Sequence, residues 1–213
     1  MNINCQTKIF IKNVMLGLGN VHLSLFENGQ IAKVLEKAYI AMSPRTFEKV
    51  RDDAEIDAVA KKAVLSELAQ KFVDYFKGKT PATQADFDKW HKGTCEWFVK
   101  EFNARVIQLS GYKDIAYGKA QKIVNVAFKY LYLFCDIVPG NPGYFTFCHF
   151  AIDSVILDWY RKIDPTCPVK NWSDMTYDEY IDIQNKIRNY ISKNMPDKTP
   201  FEAEFEIWSD LYC

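Results

Sequence analysis

Apolar residues recur along this chain at intervals of three and four far more often than at alternate positions, which predicts helices rather than strands. Over 54–77, Ile56, Val59, Ala63, Phe72 and Phe76 fall on one face, and over 84–103 Phe87, Trp90, Trp97 and Phe98 do the same. From Ile115 to Phe134 the sequence is apolar on most sides, the pattern of a helix surrounded by other elements. Residues 151–163 put Ile152, Val155, Ile156, Trp159 and Ile163 on a single stripe. Helices over 177–194 and 200–211 close the chain, the last with Phe205 and Trp208 facing inward.

Helix starts are written in the same stretches. Thr176-Tyr-Asp-Glu179 has the form of a capping box, in which the threonine oxygen accepts from a free N–H and the glutamate reaches back. Thr199-Pro-Phe-Glu202 repeats it with proline at the first helical position, where a missing N–H costs nothing. Ser43-Pro44 and Thr83-Gln-Ala-Asp86 are weaker forms of the same signal. Residues 7–12 and 21–26 are the only segments that suit short strands, a β-hairpin near the N-terminus, although Gly17 and Gly19 also suit a short helix or loop. Loops are expected at 78–81, 139–143 and 164–175, none long enough to separate domains. The expectation is an all-α, compact multi-helix domain over 1–213, with 1–30 as a peripheral segment and 107–163 as a functional core.

Composition sharpens this picture. Apolar residues make up 48% and aromatics 15%, enough to fill a sizeable core and the opposite of a disordered chain. Lys plus Arg and Asp plus Glu number 27 each, so no global field draws the protein to nucleic acid or an anionic membrane. Locally, residues 105–170 carry a net charge of +3 and 171–213 a net of −5, a basic middle beside an acidic tail. The six cysteines, at 5, 95, 135, 148, 167 and 213, include no C-x-x-C pair. The N-terminal apolar run is broken by Lys12, Asn13, Gly17, Gly19 and Asn20, unlike a signal peptide or a membrane span. Reduced thiols, a cytoplasmic location and no membrane association are the corresponding expectations.

Few kinds of chemistry survive a search for motifs. His22, His91 and His149 are far apart and form no metal-binding pattern, so neither a metal nor another cofactor is expected. No phosphate-binding glycine loop and no G-x-S-x-G serine motif occurs. Tyr112, Tyr117, Tyr130 and Tyr132 could stack on bases, but aromatics at helical spacing are more often core. What remains is a polar strip on the otherwise apolar helix after Tyr112. Lys122, Asn125 and Lys129 stand at i, i+3 and i+7, with Lys119 one turn earlier. Such a strip faces solvent or a cleft, and in a cleft desolvation lowers the lysine pKa and makes a usable amine nucleophile. Beyond the loop, Asp153 is expected in the first turn of the next helix, where the helix N-terminus favours its anion. It could there orient a substrate or stabilise positive charge. Taken singly, these residues also read as solvated lysines and a favourable first-turn charge.

Gly118-Lys-Ala-Gln-Lys122-Ile-Val-Asn followed by Phe150-Ala-Ile-Asp153-Ser-Val-Ile resembles the lysine and aspartate segments of the helix-hairpin-helix DNA glycosylases. The wide spacing is closest to their archaeal 8-oxoguanine glycosylase branch. The resemblance covers roughly residues 107–163 and implies that Lys122 attacks the sugar while Asp153 assists. It departs from the family where Ala151 stands in place of a proline, where the Gly-hydrophobic-Gly hairpin is missing, and where no cysteine cluster is present. The implied function is binding of DNA or a nucleobase with amine-assisted base excision: Lys122 and Asp153 catalytic, and Lys119, Asn125, Lys129 and His149 near the phosphate or base. The alternative is a non-enzymatic interaction or regulatory protein whose basic middle and acidic tail meet a protein partner or a second copy. A small-molecule pocket lined by aromatics and Lys122 is a third possibility.

Overall fold

The computed structural model describes residues 12–17, 23–41, 56–107, 113–134 and 142–211, and among these the chain forms helices and loops with no β-strand. The main helices are α1 (Asn28–Ala41), α2 (Ile56–Lys77), α3 (Gln84–Phe102), α4 (Tyr117–Phe134), α5 (Ser154–Ile163), α6 (Tyr177–Asn194) and α7 (Pro200–Asp210). A π-helical turn, Asn103–Ile107, extends α3, and 3₁₀ turns occupy Pro142–Tyr144 and Trp172–Asp174.

The all-round apolar pattern of α4 has its counterpart in space. Helices α1, α3 and α6 and the Trp172–Asp174 turn all pack on it, and fourteen of its eighteen residues are buried. Rings from α2, α3 and α4 fill the space between those helices. Phe72 and Phe128 lie 4.8 Å apart between centroids, and Trp90 stands edge-on to Phe72 at 5.6 Å. Each fully buried phenylalanine of this cluster contributes about 1.5–3 kcal/mol. Tyr75 joins it and donates its hydroxyl to Tyr144 O at 2.7 Å, which ties the 3₁₀ turn before the 148–153 segment to α2.

The capping signals are realised. Thr83 with Asp86, Thr176 with Glu179, and Thr199 with Glu202 each form both hydrogen bonds of a capping box. Other expectations need correction. Helix α1 was not among the expected helices, yet Ile31, Val34, Leu35 and Ala38 repeat at i, i+3, i+4 and i+7 and are fully buried against α2 and α4. Of the proposed strands, Lys12 begins a helical turn at 12–16, and 23–26 hold one isolated bridge residue and a turn. Residues 7–11, 21 and 22 and the Ser43-Pro44 start lie outside the described residues. Val59 is 72% exposed and Trp208 44%, because both sit within a turn of a helix end, past the packed core. Helix α5 begins at Ser154, so Ile152 belongs to a non-helical segment and Asp153 is the N-cap residue, just before the first turn.

One glycine is required by close approach. A Cβ on Gly118 would lie 1.8 Å from Trp172 O, and the Gly118 N–H donates to Met175 O at 2.9 Å. The obstruction is backbone rather than a side chain that can swing away. Gly118→Ala should therefore lower unfolding stability by about 3 kcal/mol or more, whereas Gly29→Ala, in α1 with open Cβ space, should leave it unchanged or raise it by about 1 kcal/mol or less. Urea titration of the two variants measures the difference.

Candidate functional site

The site is built around a stretch of chain that no helix contains. Cys148, His149, Phe150, Ala151 and Ile152 are at most 2% exposed, yet they are not helical. Their peptide groups need partners in a dry interior, where an unpaired group costs about 1–3 kcal/mol. Cys148 N–H turns back to Phe145 C=O at 3.2 Å, and side chains supply partners for Phe150, for Ile152 and for Ala151 N–H. From α4, the Gln121 amide accepts from Ile152 N–H at 3.1 Å and donates to Ile152 C=O at 2.6 Å. From α6, Gln184 accepts from Phe150 N–H at 3.2 Å and donates to its C=O at 2.8 Å. From α7, Glu204 Oε1 accepts from Ala151 N–H at 3.0 Å. A primary amide carries the same donor–acceptor pair as a peptide, so each glutamine acts as one rung of a β-ladder. Asn103 does likewise for Ile115, leading into α4.

The polar strip of α4 points at this segment. Lys122 Nζ donates to Asp153 Oδ2, while Asp153 Oδ1 accepts from Ile156 N–H at 3.0 Å and caps α5. The Lys122 side chain is 10% exposed and that of Asp153 is 19%, so the carboxylate is the more open partner. Two helical turns along, Lys129 Nζ donates to Glu204 Oε1, whose side chain is fully buried. Desolvation pulls the Lys122 ammonium below its ordinary pKa, against the opposing pull of Asp153. Burial alone would raise the Asp153 carboxyl, but the Lys122 ammonium and the Ile156 N–H hold it below its ordinary value. Burial raises Glu204 even with Lys129 beside it.

Behind the strip runs a second polar chain. Asp88 accepts from His149 Nε2 at 2.6 Å, from Arg188 at 2.9 and 3.1 Å, and from Gln84 at 2.8 Å. With that proton on Nε2, His149 Nδ1 accepts from the Tyr180 hydroxyl at 2.8 Å, and Tyr180 accepts from Asn125 Nδ2 at 2.8 Å. Asn125 Oδ1 then accepts from His91 Nε2 at 3.0 Å, leaving His91 Nδ1 to accept from Tyr117 at 3.1 Å. The whole pattern is satisfied with both imidazoles neutral. Their energetics agree: desolvation drives both histidine pKa values down, and His91 is lowered further by its neighbour His149.

Of the residues singled out by sequence, Lys122 and Asp153 meet directly. Lys129 lies beside them, paired with Glu204. Lys119 is 6% exposed, with burial pulling its ammonium pKa down, and Asn125 and His149 are 1% and 2% exposed. The hydrogen-bonding groups of Asn125 and His149 are engaged by protein atoms. Sequence reasoning missed Glu204, Gln121 and Gln184. Glu204 was legible only as a charge on the inward face of an amphipathic helix, between Phe201 and Ile207. Among the described residues no group of three or more His, Cys, Asp or Glu could hold a metal ion, and Cys95, Cys148 and Cys167 are free thiols. No described helix is long and apolar enough to cross a membrane. An open groove of about 570 Å³ is lined by Lys71, Asp74, Asp86, Lys89, Trp90, Gly93 and Thr94, apart from Lys122 and Asp153. No family model matches the chain, and neither a curated protein nor a solved structure matches it.

Two outcomes follow from the buried bonds. Gln121→Ala strips Ile152 of both partners and should cost about 2–5 kcal/mol. Gln184→Ala should cost about 1–3 kcal/mol, because Phe150 C=O keeps the Asn125 amide at 3.0 Å. Chemical denaturation of both variants tests that order, and equal losses would contradict it. The second outcome concerns pH. Below the ordinary histidine value of 6.5 the unfolded chain takes up protons at His91 and His149 that the folded chain resists, so stability falls as pH drops from about 7 to 5. In the folded protein burial opposes the Asp88 anion, but its bonds to His149 and Arg188 win and hold it below 3.8. A further loss of stability therefore begins below about pH 4. Urea midpoints measured across this range should decline in both windows.

Proposed function

We propose that Lys122 and Asp153 form an amine–carboxylate site of the DNA glycosylase/lyase kind, acting on DNA or a nucleobase. The supporting observation is convergence: two residues 31 positions apart, chosen from the sequence for this chemistry, share one ion pair at the N-cap of α5. Desolvation lowers the Lys122 pKa, as a lysine nucleophile requires.

In the proposed reaction the neutral Lys122 Nζ attacks C1′ of a damaged nucleotide. The bond from C1′ to the base breaks, and the base departs with the electron pair and takes up a proton. The proton displaced from Nζ passes to the Asp153 carboxylate; the C1′–O4′ bond then breaks, O4′ takes that proton and becomes a hydroxyl, and the nitrogen lone pair forms the C1′=Nζ bond of a protonated imine on Lys122. As the base leaves, Asp153 stabilises the positive charge developing on the sugar while remaining fixed by Ile156 N–H.

A second reading has its own observation. Lys122, Asn125 and Lys129 are all bonded to groups that hold the 148–153 segment in place. In that reading the strip is architectural, and the chain is a non-enzymatic helical protein that meets a protein partner or a second copy. The overall neutral charge favours it over tight DNA binding, where phosphate neutralisation dominates affinity.

Borohydride trapping separates the two. Incubated with duplexes carrying damaged bases, the wild-type protein should form a covalent adduct that is absent from Lys122→Ala and reduced at least tenfold in Asp153→Asn. Absence of adduct from the wild type, or an adduct that survives Lys122→Ala, rejects the catalytic reading and leaves the architectural one.

A further inference from the structure

Four charged side chains gather where α4, the α5 N-cap and α7 meet: Lys122 and Lys129, Asp153 and Glu204. All four are largely withdrawn from water. The lysine side chains are 10% and 16% exposed, and those of Asp153 and Glu204 are 19% and 0%. As full ions the cluster sums to zero. The pairs are not independent, because Lys129 acts electrostatically on both Lys122 and Asp153, and Glu204 acts on Lys122. Glu204 uses only one oxygen. Oε1 accepts from Lys129 and from Ala151 N–H, whereas the buried Oε2 has no hydrogen-bond partner.

We infer that Glu204 is a positioning residue for the Lys122 amine: by neutralising Lys129 it reserves Asp153 for Lys122, and its free Oε2 is the place in the cluster where a proton can be stored. The inference rests on reading Lys122 as the working amine. Its physical basis is charge balance in a desolvated space. If Glu204 loses its charge, two ammonium groups must share the single carboxylate of Asp153. The cluster then carries +1, and the relief nearest to hand is loss of a proton from the more buried ammonium, Lys122. A proton taken up at Oε2 has the same effect as removing that charge. Lys122 and Glu204 are therefore one coupled titration rather than two separate ones.

The groups facing Lys122 set the expected directions. They are Asp153 before α5, Lys129 on α4 and Glu204 on α7. Asp153 and Glu204 stabilise its charged form, and Lys129 opposes it. Glu204→Gln keeps the shape and the Ala151 contact while removing the charge, and should lower the Lys122 titration midpoint by about one pH unit. Adding Lys129→Met to Glu204→Gln restores neutrality and should bring the midpoint back towards the wild-type value. A purely structural role for Glu204 in docking α7 predicts no such return, because the double variant loses still more of that contact.

The measurement is the pH dependence of the carbon-13 resonance of Lys122 Cε in the intact chain, assigned by its disappearance in Lys122→Arg. A lowered midpoint in Glu204→Gln and its return in the double variant support the coupling. An unmoved midpoint in the single variant, or no return in the double, overturns it. If the variants do not fold, the wild-type protein decides: Lys122 Cε must show a second inflection at the pH where Glu204 Cδ titrates, and a single inflection overturns the inference. Coupled shifts in a protein that forms no borohydride adduct uphold the role of Glu204 and reject only the DNA reading. An adduct from a protein without coupled shifts does the reverse.

Discussion

A helical protein that runs a non-helical stretch of backbone through its interior must answer for every peptide group in that stretch. Within an α-helix the chain satisfies itself, four residues at a time. Residues 148–152 have no such recourse, and they are sealed from water between α4, α6 and α7. Four buried polar side chains, Gln121, Asn125, Gln184 and Glu204, answer that demand. Gln121 and Gln184 imitate neighbouring strands, and Glu204 takes the amide between them. Asn125 supports Phe150 while tying the segment to the His149–Tyr180–His91 chain behind it.

Meeting that demand brings charge into the core. Glu204 accepts the Ala151 N–H but cannot be left as an isolated anion, and Lys129 answers it. Asp153 ends the segment by capping α5, and Lys122 answers that carboxylate. Ion pairs of this kind contribute little net stability compared with apolar packing of the same volume, but removing one partner alone is costly. They do enforce register, since a slip of the segment by one residue would break the Lys122–Asp153 pair, the Glu204 bond to Ala151 N–H and both amide clamps together. The same arrangement keeps an amine next to a carboxylate in a poorly solvated place, the condition under which a lysine becomes a nucleophile. Architecture and chemistry thus draw on one set of atoms, which is why the borohydride experiment, rather than geometry, separates them.

Much of the framework was legible before any coordinates, for local reasons. Capping boxes at Thr83, Thr176 and Thr199 work through bonds spanning three residues, so sequence contains all the parts. The apolar character of Ile115–Phe134 on most sides announced a surrounded helix, because a helix with only a narrow polar strip cannot rest with one face in water. The Lys122–Asn125–Lys129 strip was also visible, as three polar positions on one side of that helix. Its destination was not. In place of solvent or an open cleft, the strip faces a third surrounding, a buried backbone segment whose peptide groups and flanking carboxylates it meets.

By itself, then, the sequence determined the helical class, most helix starts, the central place of α4 and the pairing-competent residues Lys122 and Asp153. These depend on periodicity and short-range hydrogen bonds, which reach only a few residues along the chain. Tertiary structure alone decided that the two residues meet, that Glu204 lies beside Lys129, 75 positions away, and that Gln121 and Gln184 clamp the same segment from different helices. A glutamine in a helix looks the same in sequence whether it faces water or a peptide group. What distinguishes the two cases is the desolvation imposed by elements distant along the chain, and that exists only once they have packed.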